Sequence, residues 1–253
     1  MKSIKVLCLG LVLASSSTSA LGQDVEGRWG VGGFVAYSSP LFTFGDRWDG
    51  NANKWGLNLN YVASNRVTME LEYHRSEFTD GLLVSAPFTW GVTGKEYRAG
   101  EVRDDARYDI RFNSLLLSGI VHFRQDRSMD EGSYSPYMVV GAGFYDHSAV
   151  AENIVWPGQN EGDALAAGAG KDADGDTLPA VVMARQEDTR TALTGTIGFG
   201  LEAFLTPTIA IDVRGRYHFS LSELRPYDVW LQNKVFPLQQ YDVAGGFKFY
   251  FWE

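Results

Sequence analysis

The chain has 253 residues, with 22 Lys and Arg against 31 Asp and Glu, a formal net charge of −9, and 13% aromatic residues. An acidic balance of this size excludes nucleic acid as the natural partner. After the N-terminal leader, no stretch approaches the about 18 consecutive apolar residues of a membrane-spanning helix.

Taken from the start, Lys2 and Lys5 bracket the entry to an apolar run from Val6 to Ala14, followed by small polar residues to Ser19 and by Ala20-Leu21-Gly22. This is the build of a secretory signal peptide. Cleavage after Gly22 fits best, with cleavage after Ala20 as the alternative, so residues 1–22 are expected to leave and residues 23–253 to form a single barrel domain. Cys8, the single cysteine, sits inside the apolar run rather than at the cleavage site. No lipid anchor is expected, and the mature chain then has no thiol chemistry. Loss of Lys2 and Lys5 takes the net charge to −11.

Beyond the leader the chain alternates with a period of two, the signature of half-buried strands. The first strand carries Trp29, Val31, Gly33, Val35 and Tyr37 on one face. The second carries Trp55, Leu57, Leu59 and Tyr61. The third sets Val67, Met69, Leu71 and Tyr73 against Thr68, Glu70, Glu72 and His74. A fourth, about 107–123, reads as Tyr108, Ile110 and Phe112 and then as Leu115, Leu117, Val121 and Phe123. That shift of phase predicts a bulge near Asn113-Ser114. A fifth, 136–146, is too uniformly apolar and glycine-rich to phase. The last three alternate cleanly through Leu193–Ala203, Ile209–Phe219 and Tyr241–Phe251. Several of these runs reach the about 9–11 residues of a tilted bilayer-crossing strand.

The connections alternate in length. Short or moderate turns fall at 64–66, 124–135 and 206–207, and long segments at 38–54, 79–106, 147–190 and 220–239. That is the outer-membrane pattern, with turns in the periplasm and loops outside. Lipid supplies no hydrogen bonds, so a sheet within it must close. The expected fold is all-β: an eight-stranded antiparallel up-and-down transmembrane β-barrel, or ten strands if 79–106 adds a hairpin. Tyr37, Trp55, Tyr73, Tyr108, Tyr217 and Tyr241 lie near the loop-side strand ends and are expected to form an aromatic girdle.

The face opposite the apolar one carries Glu70, Glu72, Asp109, Arg111, Glu202, Asp212, Arg214, Arg216, Asp242 and Lys248. In a narrow barrel these would form a charge network in the lumen, with Glu70 and Glu72 opposite Arg214 and Arg216. The plain reading is an internal salt-bridge core. The alternative is a polar path for small solutes.

The segments Pro136–Phe144, Gly195–Glu202 and Arg214-Gly215-Arg216-Tyr217 resemble the small outer-membrane β-barrel superfamily of OmpA-like, OmpX-like and OmpW-like barrels. The C-terminal strand, with Val243, Gly245, Phe247, Phe249 and Phe251, resembles that family's assembly signal. It departs in ending on Trp252-Glu253, where the family stops on an aromatic. The resemblance implies a Gram-negative outer-membrane location and lipid and lipopolysaccharide as surroundings. It also implies insertion by the barrel-assembly machinery through the last strand. A monomer is expected, with no cofactor and no dedicated metal.

Three constellations invite chemistry. Asp172, Asp174 and Asp176 resemble a calcium loop, but Thr177 and Met183 stand where such a loop needs Gly and a bidentate Glu. A loose divalent role near lipopolysaccharide is all that remains there. His218-Phe219-Ser220 with Glu223 resembles the outer-membrane lipid A deacylases. Leu221 stands where those carry Asn, and the alternation turns His218 and Ser220 into the lumen. Asp104-Asp105 resembles an omptin-type protease pair without its partners. Trp48, Trp90, Trp156 and Trp230, in the long loops, either bind a partner or pack the loops together. The leading expectation is a non-enzymatic structural or surface-interaction barrel. A carrier for small molecules, hydrophobic ones included, comes second and a lipid A-modifying enzyme third.

Overall fold

A computed structural model describes residues 25–49, 52–89, 94, 96–124, 127–155, 169–171, 177–179, 182–227 and 232–251. Among them, eight long strands form the barrel: β1 (Trp29–Leu41), β2 (Ala52–Ser64), β3 (Val67–Phe78), β4 (Arg107–His122), β5 (Tyr134–Glu152), β6 (Gln186–Thr206), β7 (Ile209–Ser220) and β8 (Leu238–Phe251). Each pairs antiparallel with its sequence neighbour, and β1 pairs with β8 from Trp29–Phe251 to Leu41–Gln239, closing the sheet. Segment 79–106 does hold a hairpin, Pro87–Thr89 with Glu96–Arg98, but it stands apart from the barrel, so the count is eight. No described helix is long and apolar enough to cross a membrane. The leader and Cys8 lie outside the described residues, as do Trp90, Trp156, Trp230, Asp172–Asp176 and Trp252-Glu253.

The burial is inside out. Val35 is 69% exposed and Phe199 and Phe247 are 62% exposed, whereas Glu70 is fully buried and Arg214 only 2% exposed. A soluble monomer does not display a continuous apolar wall of this kind. Lipid is the solvent that such a wall requires, and closure leaves no strand edge unpaired within it. Close approach inside the barrel depends on glycine in places. A Cβ on Gly56 would stand 2.5 Å from the Phe34 ring.

The strand β4 departs from its sequence reading. It alternates without a bulge from Arg107 to His122, so Tyr108, Ile110 and Phe112 point inward with Leu116 and Ile120. Tyr108 is therefore not part of the girdle. Asp109 and Arg111, expected in the lumen, face outward instead. Arg111 bonds Glu77 of β3 at 2.9 Å, and Asp109 accepts the backbone N–H of Asp80 at 3.2 Å. The physical reason is that the polarity of the wall inverts along the strand. Tyr73, Leu115, Phe144 and Leu193 form one hydrogen-bonded row across β3, β4, β5 and β6, all outward and apolar. The next outward row toward the loops is Arg75, Asn113, Asp146 and Thr191. Below that step the sheet is dressed for lipid, and above it for water.

Candidate functional site

Among the described residues, most of the buried charge lies in the lumen. Alternation on β3, β7 and β8 delivers Glu70 and Glu72, Asp212, Arg214 and Arg216, and Asp242 and Lys248 to the inner face. β2 adds Lys54, β6 adds Glu202, and the β4–β5 turn folds Arg127 inward. Glu70, Glu72, Glu202, Asp212 and Asp242 thus face Lys54, Arg127, Arg214, Arg216 and Lys248 in a charge-balanced set.

The contacts form a ladder from the turn end to the loop end. At the bottom, Glu202 accepts from Arg127 at 2.6 Å and from the Tyr250 hydroxyl at 2.7 Å, with the Lys248 ammonium at 3.4 Å. One step up, Arg214 holds Glu70 with both terminal nitrogens, at 2.5 and 3.0 Å, and donates from Nε to Asp212 at 2.6 Å. Tyr137 donates to the other Asp212 oxygen at 2.6 Å. Higher still, Arg216 bonds Glu72 at 2.6 Å and grips Asp242 with two nitrogens at 3.1 Å. Lys54 reaches the same Asp242 at 2.6 Å. Two-pronged guanidinium–carboxylate bonds are the strong, directional kind. The structure thus brings Glu70, Glu72, Glu202, Asp212, Arg214, Arg216, Asp242 and Lys248 together, and leaves Asp109 and Arg111 outside.

The top of the ladder is a ring of tyrosine, histidine and glutamine side chains. The Tyr145 hydroxyl lies 3.1 Å from Nε2 of His74, 2.9 Å from Nδ1 of His218 and 3.3 Å from Nε2 of Gln240. Nε2 of His218 is 2.8 Å from Asp242, so both ring nitrogens have partners other than Ser220. Ser220 Oγ is buried with no partner among the described residues, and Glu223 is held in the last loop by Arg190 and Lys234. The bond from Lys234, seconded by that from Arg190, keeps the Glu223 carboxyl below its ordinary range. A His218–Ser220–Glu223 relay is not assembled here. Asp105 is taken up by Arg103, which bonds it at 2.7 and 2.8 Å and lowers its pKa.

Above the ring the interior turns apolar. Phe44 from the first loop packs 5.4 Å from Phe78 and 5.9 Å from Phe112, and Trp48 stacks on Tyr108 at 4.4 Å. Leu224, Tyr227 and Val235 of the last loop close the same cluster. Trp48 is 1% exposed, so this tryptophan packs loops together rather than offering itself to a partner. Gly81 makes room for it, since a Cβ there would meet the Trp48 indole nitrogen at 2.7 Å. No group of His, Cys, Asp and Glu suited to a metal occurs among the described residues.

Sequence reading misses Lys54, Tyr137, Tyr145, Arg127 and Tyr250 as members of this site. Lys54 is within its reach, two residues from the inward Gly56 on the same strand. Tyr137 and Tyr145 sit on the strand whose glycines blur its phase, and Arg127 sits in a turn without periodicity.

Compared with known proteins, residues 6–239 match the outer membrane protein beta-barrel domain family. No curated protein matches the sequence significantly. The barrel is similar to Neisserial surface protein A, at 14% identity and a TM-score of 0.51, covering 89% of this chain and all of that one. It also aligns with a major outer membrane protein from Thermus thermophilus, at 10% identity and a TM-score of 0.48, covering 89% of this chain and 99% of that one. Ail of Yersinia pestis aligns at 14% identity and a TM-score of 0.45, covering 90% of this chain and 100% of that one.

Proposed function

Because this chain belongs to the outer membrane protein beta-barrel domain family, we propose that it is a closed, non-enzymatic barrel that acts at the cell surface through its loops. The coarser part follows from family and fold: it is an outer-membrane β-barrel. The observation that carries the finer part is the two-layer filling of the lumen. A charge-balanced ladder occupies the membrane-spanning half, and an aromatic cluster built partly from the first and last loops lies over it. Eight strands leave an interior that side chains alone can fill. A carrier for solutes would need a way through both layers. A lipid-modifying enzyme would need its base and nucleophile toward lipid, whereas His218 and Ser220 are buried in the lumen. The leader directs the chain to the envelope, the last strand engages the assembly machinery, and the mature barrel sits as a monomer among lipopolysaccharide.

The test is conductance of the refolded protein in planar bilayers. Wild type is expected to show no stable open level at neutral pH. A reproducible open level that survives complete refolding would replace this reading with the carrier.

A further inference from the structure

We propose that one face of the barrel thins the outer membrane: on β2 and β3 the lipid-facing wall is too short for the bilayer, and the outer leaflet dips there until its headgroups meet Arg75 and Glu77. This goes beyond the loop reading above and rests only on the chain being an outer-membrane barrel.

The first observation is the height of the wall, strand by strand. The large outward apolar side chains of β2 are Trp55, Leu57, Leu59 and Tyr61, and those of β3 are Val67, Met69, Leu71 and Tyr73. Outward Asn53 on β2, and Arg75 and Glu77 on β3, end both runs on the loop side. β6 and β7 lie across the barrel, two strands away in either direction. There the outward apolar run extends from Leu193 to Leu205 and from Ile209 to Phe219, with Leu221 exposed beyond. A strand tilted by about 45° gains about 2.3 Å of depth per residue, so the short runs span about 14 Å and the long ones at least about 23 Å. Barrels of the outer membrane present a band of about 25 Å.

The second observation is that the two edges of the wall follow different lines. The hydrogen-bonded row through Leu71 passes Leu59 to Val31 in one direction, and Leu117, Ala142, Gly195, Phe219 and Gln239 to Leu41 in the other. One circuit therefore climbs ten residues along β1 toward the loops. The polarity step above Tyr73, Leu115, Phe144 and Leu193 follows such a rising row, so the loop-side edge is lowest at β3 and high at β6. The turn-side edge does not follow the rows. The row through Val67, the first residue of β3, reaches Phe199 and Gly215, and β6 and β7 continue apolar below these to Leu205 and Ile209. One edge is level and the other slants. Tilting the whole barrel levels one only by slanting the other, and it lengthens neither short run.

The aromatic residues mark the same narrow band. Trp55 and Tyr73 meet edge-on at 6.1 Å at its upper limit, with the Tyr73 hydroxyl turned up to Asn113 at 3.4 Å. Tyr61 and Trp29 meet at 4.9 Å at its lower limit. Tryptophan and tyrosine settle at the headgroup level, so on β2 the two interfaces lie six residues apart. Above the upper pair, Glu77 bonds Arg111 at 2.9 Å and has Arg75 at 3.9 Å, all three side chains more than a third exposed. Charge on the lipid face is penalised at depth, whereas a bilayer thins at modest cost per ångström. The lipid gives way, and headgroups and water cover this cluster.

The test places single nitroxide-labelled cysteines in the full mature chain, in vesicles of 18-carbon phosphatidylcholine. Arg75 and Tyr217 each stand eight residues from the first residue of their strand, Val67 and Ile209. Labels at 67 and 209 are expected to be equally oxygen-dominated. The label at 75 is expected to be relaxed by a water-soluble nickel chelate and that at 217 by oxygen, with the crossover about 9 Å nearer the midplane on β3 than on β7. In the double variant Asn53→Leu with Arg75→Leu the short wall is raised, and a label at 77 is expected to pass from nickel-dominated to oxygen-dominated relaxation. Oxygen dominance at 75 equal to that at 217 would mean a flat leaflet and overturn the proposal. A label at 67 deeper than one at 209 would mean a rigid tilt, and a label at 75 shielded from both reagents would mean a protein neighbour; either overturns it too, as does an unchanged label at 77. None of these results bears on the conductance test of the closed barrel.

Discussion

Glu70 and Arg214 show how a single pair can matter inside a membrane barrel. Both are buried, they share two hydrogen bonds, and they come from strands on opposite sides of the lumen. Removing one partner leaves the other buried with a weaker set of contacts, Asp212 for Arg214 and Lys248 at 3.9 Å for Glu70, so the loss is bounded by the about 3–5 kcal/mol of a broken buried pair. Glu70→Ala and Arg214→Ala are each expected to lower the unfolding free energy of the refolded barrel, read from its urea transition, by up to that order. The reversed pair, Glu70→Arg with Arg214→Glu, should recover part of it. Asp212 limits the recovery, because it bonds Arg214 and would repel a glutamate placed there. Equal stability of wild type and both single variants would show that water, not the partner, solvates these charges. At this scale the sequence is informative wherever alternation is unbroken. The opposition of Glu70 and Glu72 to Arg214 and Arg216 is readable because strands three and seven must face each other across a narrow tube. Arg127 is not readable, because nothing local marks a turn arginine that folds into the lumen.

At the scale of the element, β4 is the instructive case. Alternation alone assigns its apolar residues to the lipid side throughout, which is right for Leu115 and Leu117 and wrong for Tyr108, Ile110 and Phe112. The strand does not change phase; its surroundings do. Beyond the row of Tyr73, Leu115, Phe144 and Leu193 the interior is an aromatic core and the exterior is water, as in a soluble barrel. The apparent bulge near Asn113-Ser114 is this reversal of polarity read as a reversal of geometry. It follows that single-cysteine spin labels at 115 and 117 should be relaxed by oxygen, and labels at 111 and 113 by a water-soluble nickel chelate. The mature chain expected from the leader contains no other cysteine to interfere. Oxygen-dominated relaxation at 111 would move the membrane boundary, and oxygen-dominated relaxation at 110 and 112 would restore the bulge. For the same reason Arg111→Ala should cost less than about 1 kcal/mol, as its bond to Glu77 is exposed.

For the molecule as a whole, the alternation of connection lengths sets the orientation. The turns around Asn65 and Pro207 share one end and the long segments the other. Protease added to intact cells should therefore cut only within 42–51, 79–106, 153–185 or 221–237. Cutting near Asn65 or Thr206 in intact cells would invert the protein. Strand number and closure are legible because lipid imposes them on any sheet it surrounds. The roof over the lumen is not, since it is made where the chain has no period.

The ladder also constrains how the barrel can be made. The Glu70–Arg214 bond joins residues 144 apart in sequence, and the closing seam joins the first strand to the last. Until β7 is in place, Glu70 and Glu72 have no guanidinium to meet, and a half-built sheet moving into lipid would drag bare carboxylates with it. Such an intermediate is penalised at every step but the final one, so insertion and closure have to coincide. The charges that fill the finished tube therefore act as an inspection: a chain truncated before β7, or one with β3 and β7 out of register, finds no low-energy place in the bilayer and stays on the watery side, where proteases can reach it.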